Sequence, residues 1–564
     1  MPEMPAVGRA ALRLPLRAVA FVDKQVHDVV VLARAGAVAI EAPKHTLHRV
    51  RTILRWGFST AAGYALTAGV HPDRAAIVDE LGTLTFAEVH RRTNALAREL
   101  ARAGIGAGDG VGVMCRNHRY FVEATVALSK LGADSLYLNT GFAGPQLAEV
   151  MEREGAKAII HDEEFEALLA AATRGRLRFT AWGRGGEDAP ALEALIAAGD
   201  TAEVTPPQSQ GKVTILTSGT TGTPKGARRS QPKGLGAACG FLSRIPLRAG
   251  QRTLVAAPLF HSWGFANYEL ALLLADTVIL QRRFDPEQTL AAIAEHRADV
   301  LVLVPVMAQR IMDLPEATRR KYDTSSLKIA GISGSALHGD LAERFMDAFG
   351  EVVYNLYGST EVAQATIATP AELRLAPGTA GRPPKGTVVR LFDAGGGAVA
   401  PGQEGRIFVG NEFLFEGYTG GGSKAVIDGL MSTGDVGHFD RHGLLFVSGR
   451  DDEMIVSGGE NVYPREVEDL LAAHPAIAEV AVVGVDDVEF GQRLRAFVVL
   501  RDGGHATAEE VKEVVRANLA RYKVPRDVVF LDALPRTTTG KVLKRDLPRG
   551  DLDAGAAPSQ AASG

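Results

Sequence analysis

The sequence predicts an α/β fold: a large N-terminal body of layered α/β units with a β-rich subdomain, then a small α+β C-terminal domain. Three observations predict it. Short apolar runs rich in Val, Ile and Leu alternate with amphipathic segments over most of the 564 residues, as in parallel sheets covered on both faces. From about Asp393, glycine-rich, hairpin-like stretches replace that alternation. After Arg450 a shorter mixture of helices and strands follows.

The elements follow in order. Residues 1–70 form an N-terminal extension. VVVLARAGAVAI (Val29 to Ile40) is apolar but too short to span a bilayer, and Arg34 interrupts it. The basic, aromatic-bearing stretch from Leu47 to Val70 fits either a helix packed on the body or one lying on a membrane surface. The body spans residues 71–449. In it, TFAEVHRRTNALARELARAGIG reads as a helix. Thr85 and Glu88 have the capping-box spacing, Phe86, Val89, Leu96 and Leu100 recur on one face, and Gly104 ends it. RYFVEATVALSKLGA reads as a second helix. GVGVMC, KAIIHD, VTILTS, RTLVAAP, DTVIL, VLVLVP and SLKIAGIS read as buried strands. The C-terminal domain spans 450–547. EVEDLLAAHP is its first helix, VAVVGV and LRAFVVL are strands, and AEEVKEVVRANLARYKVP is a helix stopped before Pro525. Residues 548–564 have the composition of a disordered tail.

Composition narrows the function. Hydrophobic residues make up 46% and charged residues 23%, which is ordinary globular usage. The net charge of −4 supplies no positive field for nucleic acid. The two cysteines, Cys115 and Cys239, lie in no metal or disulfide pattern, which suits a reducing cytoplasm. The start of the chain shows no signal-peptide pattern.

The stretch TSGTTGTPKG (Thr217 to Gly226) carries the first chemical signal. Glycines let backbone N–H groups approach a ligand, hydroxyls add donors, and Lys225 adds positive charge. A polyphosphate is the natural guest. The loop is not a Walker loop: Thr223 and Pro224 separate Gly222 from Lys225, and Gly226 rather than Ser or Thr follows the lysine.

The loop resembles the phosphate loop of the adenylate-forming superfamily, and further stretches resemble that superfamily's motifs in order. These are APLFHSWGF, SGSAL, YNLYGSTE, STGD, GRDDEMIVSGGENVYPREVE and PRTTTGKVLKRDL, within about residues 71–547. The resemblance implies activation of a small carboxylic acid with ATP and Mg2+ to an acyl-adenylate, then transfer to CoA. It implies that Thr217, Ser218, Gly219, Thr220, Thr221, Gly222, Thr223 and Lys225 hold the β- and γ-phosphates. Tyr357 would lie against adenine, with Ser335 and Ala336 beside the base. Thr360 would contact the α-phosphate, and Glu361 would ligate Mg2+, a hard cation that takes oxygen ligands. Asp435 and Arg450 would hold the ribose. Lys541 would place its ammonium between the attacking carboxylate and the α-phosphate. His261 would stand near the acid channel, while Trp263 and Phe265 line that channel or simply pack.

The resemblance also implies a C-terminal domain that rotates about Asp452 between the two steps, withdrawing Lys541 and bringing up the Ser457–Asn461 stretch with Gly458 and Gly459. Lys544 and Arg545 read as a solvated helix face. His438 and His442, four apart, find no third metal ligand. The texture of the last motifs is similar to bacterial fatty-acyl-CoA synthetases, so a medium- or long-chain fatty acid is expected. The alternative is a biosynthetic adenylating enzyme with another acid or acceptor: an aryl acid, a carrier protein, or nitrite. The implied location is cytoplasmic, with peripheral membrane contact through the extension.

Overall fold

The computed structural model describes residues 24, 26–38, 42–169, 172–217, 225–229, 234–419, 421–457, 460–487, 491–537 and 540–549. They fall in two compact units. The larger runs to Arg390 and takes in Phe408–Thr433 and Arg441–Leu445; the smaller comprises Leu391–Ile407, Gly434–Asp440 and the chain from Phe446.

Two sheets lie wholly in the larger unit, and a third, five-stranded one (Val388–Phe392, Gly405–Gly410, Leu430–Phe439, Val426–Ile427, with Leu445–Arg450) has residues in both units. One has eight strands in the order Thr366–Ala368, Val353–Tyr357, Ile329–Ile332, Val300–Leu303, Arg252–Val255, Thr277–Leu280, Ala75–Asp79, Gly82–Thr85. Its central strands run parallel, and an antiparallel strand sits at each edge. The other has six: Leu177–Thr180, Ala156–His161, Gly110–Met114, Asp134–Tyr137, Val213–Thr217, Lys225–Arg229. All pairs in it are parallel except the last. Strands such as Val300–Leu303 and Ile329–Ile332 are buried at every residue, as both-face coverage by helices requires.

The helices obey their sequence signals. Phe86–Arg102 starts with the capping box: the Glu88 carboxylate accepts from the Thr85 backbone at 2.7 Å, and the Thr85 hydroxyl accepts from Glu88 N–H at 3.2 Å. Arg119–Leu131 ends at Gly132, whose φ of 70° is a left-handed cap. The Leu47–Val70 stretch covers parts of two helices. Thr60–Val70 packs into the body, with Tyr64 buried beside Phe86 at 5.7 Å and Gly63 so close to Leu272 that an added Cβ would stand 2.7 Å away. Pro43–Trp56 buries only Thr52 and Trp56. Among the described residues no helix is long and apolar enough to cross a membrane.

In the smaller unit, the sheet order is Glu460–Val462, Ile455–Ser457, Gly491–Leu500, Ile477–Asp487, with Asp527–Phe530 parallel to Gly491–Leu500. One face packs Val482, Ala496 and Val498 on Val467, Leu471, Val511 and Val515 of helices Pro464–Ala472 and Ala508–Asn518. The other face buries Val483, Val485 and Phe497 with Leu534 and Leu547. The last helix differs from expectation: it ends at Asn518, not before Pro525. Leu519 turns to an extended conformation and packs against the core, and a single 3-10 turn follows at Arg521–Lys523.

Candidate active site

In the larger unit, Ser335, Ala336 and Tyr357 stand at the carboxyl ends of neighbouring parallel strands, where open α/β sheets hold ligands. Ser335 and Ala336 follow Ile329–Ile332 and are exposed. Gly334 before them has a φ of 101°, which favours glycine. Tyr357 ends the adjacent strand, and its hydroxyl reaches the Thr433 hydroxyl at 3.2 Å. The turn that follows is tight. A Cβ on Gly358 would stand 2.0 Å from the Ala363 carbonyl oxygen, and Ala363 itself has a φ of 59°. Such a turn fixes Thr360 and Glu361.

Glu361 is the best-defined polar group of this edge. The Tyr418 hydroxyl donates to its carboxylate at 2.7 Å, and the Ser359 hydroxyl accepts from Glu361 N–H at 3.2 Å. Burial opposes ionisation, but the Tyr418 and Ser359 hydroxyls outweigh it and hold the carboxyl below its ordinary range. An ionised, partly buried carboxylate is an oxygen ligand of the kind Mg2+ takes, so Glu361 fits that ion.

Thr217 ends strand Val213–Thr217 and pairs directly with Lys225, the first residue of the antiparallel strand Lys225–Arg229. The lysine therefore opens a strand and not a helix, which agrees with the absence of a Walker pattern. Ser218, Gly219, Thr220, Thr221, Gly222 and Thr223 lie outside the described residues. The Lys225 ammonium stands 5.4 Å from the centre of the Tyr418 ring. Gly226 is pinned: its N–H donates to the Thr419 hydroxyl at 2.9 Å, and a Cβ would come within 2.6 Å of that oxygen. The Thr419 hydroxyl in turn donates to Glu154 at 2.5 Å.

His261 caps helix Ser262–Leu273 and lies against Phe260, ring centres 4.7 Å apart. Its Nε2 is sealed from solvent and has no hydrogen-bond partner among the described residues, and burial pushes the imidazole down to about 4. A neutral ring with an unused polar atom keeps its place as a candidate. Trp263 and Phe265 pack. The Trp263 indole donates to the Leu303 carbonyl at 3.1 Å and stacks on Phe241, and Phe265 lies on Tyr137 and Tyr268.

In the smaller unit, Asp435 in Leu430–Phe439 and Arg450 at the end of Leu445–Arg450 approach to 3.7 Å. Lys541 occupies a short turn closed on itself. Thr537 N–H donates to the Lys541 carbonyl at 2.8 Å, Lys541 N–H donates to the Thr537 hydroxyl at 3.1 Å, and Gly540 has a φ of 80°. Asp452 lies in the single 3-10 turn Asp451–Glu453; Gly458 and Gly459 lie outside the described residues. Lys544 corrects its expectation: it is no solvated residue but lies between Glu468 at 2.9 Å and Glu453 at 3.1 Å. Burial works against its charge, yet the two carboxylates outweigh it and raise the ammonium above its ordinary value. Arg545 is about half-exposed and pairs with Asp546 at 3.4 Å. His438 stacks on Phe446, as a packing residue does.

Sequence reasoning missed Tyr418, Thr419 and Ser359. Tyr418 and Thr419 stand in FEGYT, a glycine-flanked stretch with no chemistry of its own. Their role appears only when the chain folds Tyr418 against Ala227 and Thr419 onto Gly226.

The AMP-binding enzyme family matches residues 65–419, and the AMP-binding enzyme C-terminal domain matches residues 466–541. The chain is 35% identical to a feruloyl-CoA synthase of Amycolatopsis over 487 residues, 86% of this chain and 97% of that protein. It is 34% identical to an indoleacetate–CoA ligase of Aromatoleum aromaticum over 493 residues, 85% and 96% respectively. The solved o-succinylbenzoate CoA synthetase of Bacillus subtilis, in complex with its acyl-adenylate intermediate, superposes with a TM-score of 0.75 at 27% identity, covering 87% of this chain and 99% of that one. The protein belongs to the AMP-binding enzyme family.

Proposed function

We propose that this enzyme is an AMP-forming acid–CoA ligase and that its acid carries an aromatic ring. The carboxylate attacks the α-phosphorus of ATP, the bond to the β-phosphate breaks, and acyl-adenylate and pyrophosphate result. The CoA thiolate then attacks the acyl carbon, a thioester forms, and AMP leaves. The observation that carries the chemistry is the tight turn that presents Thr360 and an ionised Glu361 at the sheet edge. Joining two anions needs charge neutralisation and alignment. Glu361 would hold Mg2+, which draws charge from the phosphate oxygens. Lys225 would attract the phosphates, Asp435 and Arg450 would bind the ribose, and Lys541 would supply the cation at the reacting atoms.

The aromatic ring replaces the expected fatty acid. The feruloyl, indoleacetate and succinylbenzoate relatives all carry one in their names, so the aryl-acid alternative fits better than a fatty chain. A neutral His261 walled by Phe260 suits the approach of such an acid. The test is a panel of ferulate, indoleacetate, 2-succinylbenzoate and fatty acids with ATP, Mg2+ and CoA, read by mass spectrometry. Aryl-CoA with AMP is expected. Thioesters of fatty acids alone would overturn the aryl reading, and an adenylate that ignores CoA would overturn the acceptor.

A second reading concerns the extension in a cytoplasmic enzyme. Helix Pro43–Trp56 turns Leu47, Val50 and Leu54 outward on one stripe, with Leu54 80% exposed, while Lys44, Arg51 and Arg55 flank them in solvent. Residues 42–72 contain no Asp or Glu, although the whole chain carries −4. An apolar stripe with cationic flanks complements an anionic lipid surface. The whole chain should pellet with phosphatidylglycerol vesicles and not with phosphatidylcholine, and Arg51→Glu with Arg55→Glu should abolish pelleting. Absence of pelleting, or a concentration-dependent dimer without lipid, would sink this reading.

A further inference from the structure

We propose that Tyr418 is a positioning residue that sets the Glu361 carboxylate with its hydroxyl and the Lys225 ammonium with its ring, so that the metal and phosphate ends of the nucleotide site move as one unit. The inference rests on the reading of Glu361 and Lys225 given above.

Three independent observations meet at this side chain. Its hydroxyl donates to the Glu361 carboxylate at 2.7 Å, a charge-assisted bond that fixes where the carboxylate points. Its ring lies 5.4 Å from the Lys225 ammonium, within cation–π range. Its backbone is fixed from both sides. Residue 418 bridges Ala227, Thr419 N–H donates to the Gly226 carbonyl at 2.8 Å, and Phe415 N–H donates to the Glu361 carbonyl at 2.8 Å. Phe415 also meets the Tyr418 ring edge-on at 4.8 Å. Asn411 ties the same segment to the turn after Glu361, donating to the Val362 and Gln364 carbonyls at 2.8 and 3.0 Å. A segment fastened to both the lysine strand and the glutamate turn, with one side chain touching both charged groups, is built to hold their spacing. Neither Glu361 nor Lys225 could keep that spacing alone. The carboxylate sits on a turn whose strand is in one sheet, and the ammonium on a strand in another.

Two substitutions separate the contacts. Tyr418→Phe removes the hydroxyl and keeps the ring; Tyr418→Leu removes both. Calorimetry of ATP binding, with and without Mg2+, needs no knowledge of the acid. Tyr418→Phe should weaken binding of ATP with Mg2+ about tenfold, as loss of one hydrogen bond to a charged group implies. It should leave ATP without Mg2+ unchanged. A purely structural role would not shift the metal dependence. Tyr418→Leu should in addition weaken ATP without Mg2+ a few-fold through Lys225.

Glu361→Gln serves as the reference. If it abolishes the Mg2+ dependence while Tyr418→Phe titrates like the wild type, the positioning role is overturned and the proposed function stands. If Glu361→Gln itself binds ATP with Mg2+ like the wild type, the metal role of Glu361 falls and that of Tyr418 with it. If Tyr418→Leu matches Tyr418→Phe, the contact with Lys225 sets nothing.

Discussion

The Glu361 turn and the Lys541 turn bear the two most charged duties proposed for this enzyme, and they are held in opposite ways. Glu361 is fixed by partners distant in sequence: Tyr418 holds its carboxylate and Phe415 its carbonyl, while Thr419 pins Gly226 across 193 positions. Lys541 is fixed mostly nearby: by Thr537, four residues away, and by Gly540 beside it, whose carbonyl accepts from the Arg536 guanidinium. Long-range contacts hold a group only as long as the whole body holds, whereas a local turn keeps its shape wherever its domain travels. The difference teaches that the Glu361 edge is held by the whole frame, whereas the lysine turn is held mainly by residues within a few positions of it, with Arg536 linking it to Glu479.

The comparison breaks most sharply at Lys541. Lys541→Ala should lower pyrophosphate exchange into ATP by roughly 10²–10³, the scale of removing a preorganised charge from a transition state. ATP binding and thermal stability should hardly change, because the turn is made by backbone groups, Thr537 and the Arg536 guanidinium on the Gly540 carbonyl, not by the Lys541 side chain. A variant that adenylates normally would move the role elsewhere.

Next in size is Lys544→Met, which tests what anchors that turn. Three residues beyond Lys541, the ammonium lies between Glu468 and Glu453. Its removal leaves two carboxylates facing each other in a mostly buried place. A loss of about 2 kcal/mol is expected in denaturant melts, less than for a fully buried pair because the groups keep some solvent. Restoration by a second change, Glu453→Gln, would show that the loss is electrostatic.

His261 sharpens the other side. Burial lowers its imidazole to about 4, against about 6.5 in the unfolded chain. The unfolded state therefore binds more protons between those values, and stability falls as pH drops from about 6.5 towards 4. Melting temperatures of the wild type at pH 7.5 and pH 5 should differ more than those of His261→Asn. Equal differences would mean that His261 exchanges with solvent and is no sealed part of the frame.

Much of this frame was legible in the sequence, and the reasons differ by element. The capping box at Thr85 and Glu88 and the strands Val300–Leu303 and Ile329–Ile332 follow from local preference and apolar runs. The motifs that hold Asp435, Arg450 and Lys541 survive as contiguous letters, but the 3.7 Å approach of Asp435 to Arg450 and the turn at Lys541 were not read from them. Tyr418 was invisible because its meaning lies in contacts with residues 57 and 193 positions away, and no periodicity or spacing encodes those. Lys544 was misread for the same reason: next to Arg545 it looks like one more surface cation, and only the fold brings Glu453 and Glu468 to it. The helix end at Asn518 was missed because Leu519 leaves the helix for a tertiary contact, which propensity does not register.

The smallest expected effect decides how far the lysine turn is self-sufficient. Thr537→Val keeps the size of the side chain and removes the hydroxyl that accepts from Lys541 N–H at 3.1 Å. The backbone bond from Thr537 to the Lys541 carbonyl and the left-handed Gly540 remain. One neutral hydrogen bond on a partly solvated turn is worth about 1 kcal/mol or less, so adenylation should fall about fivefold or less with ATP affinity unchanged. A loss as large as that of Lys541→Ala would mean that the ammonium depends on this single hydroxyl, and the contrast with the many-partnered Glu361 would become one of strength as well as of range. A loss of nothing at all would place the control of Lys541 outside its own turn, and the local device would no longer explain how the lysine is presented.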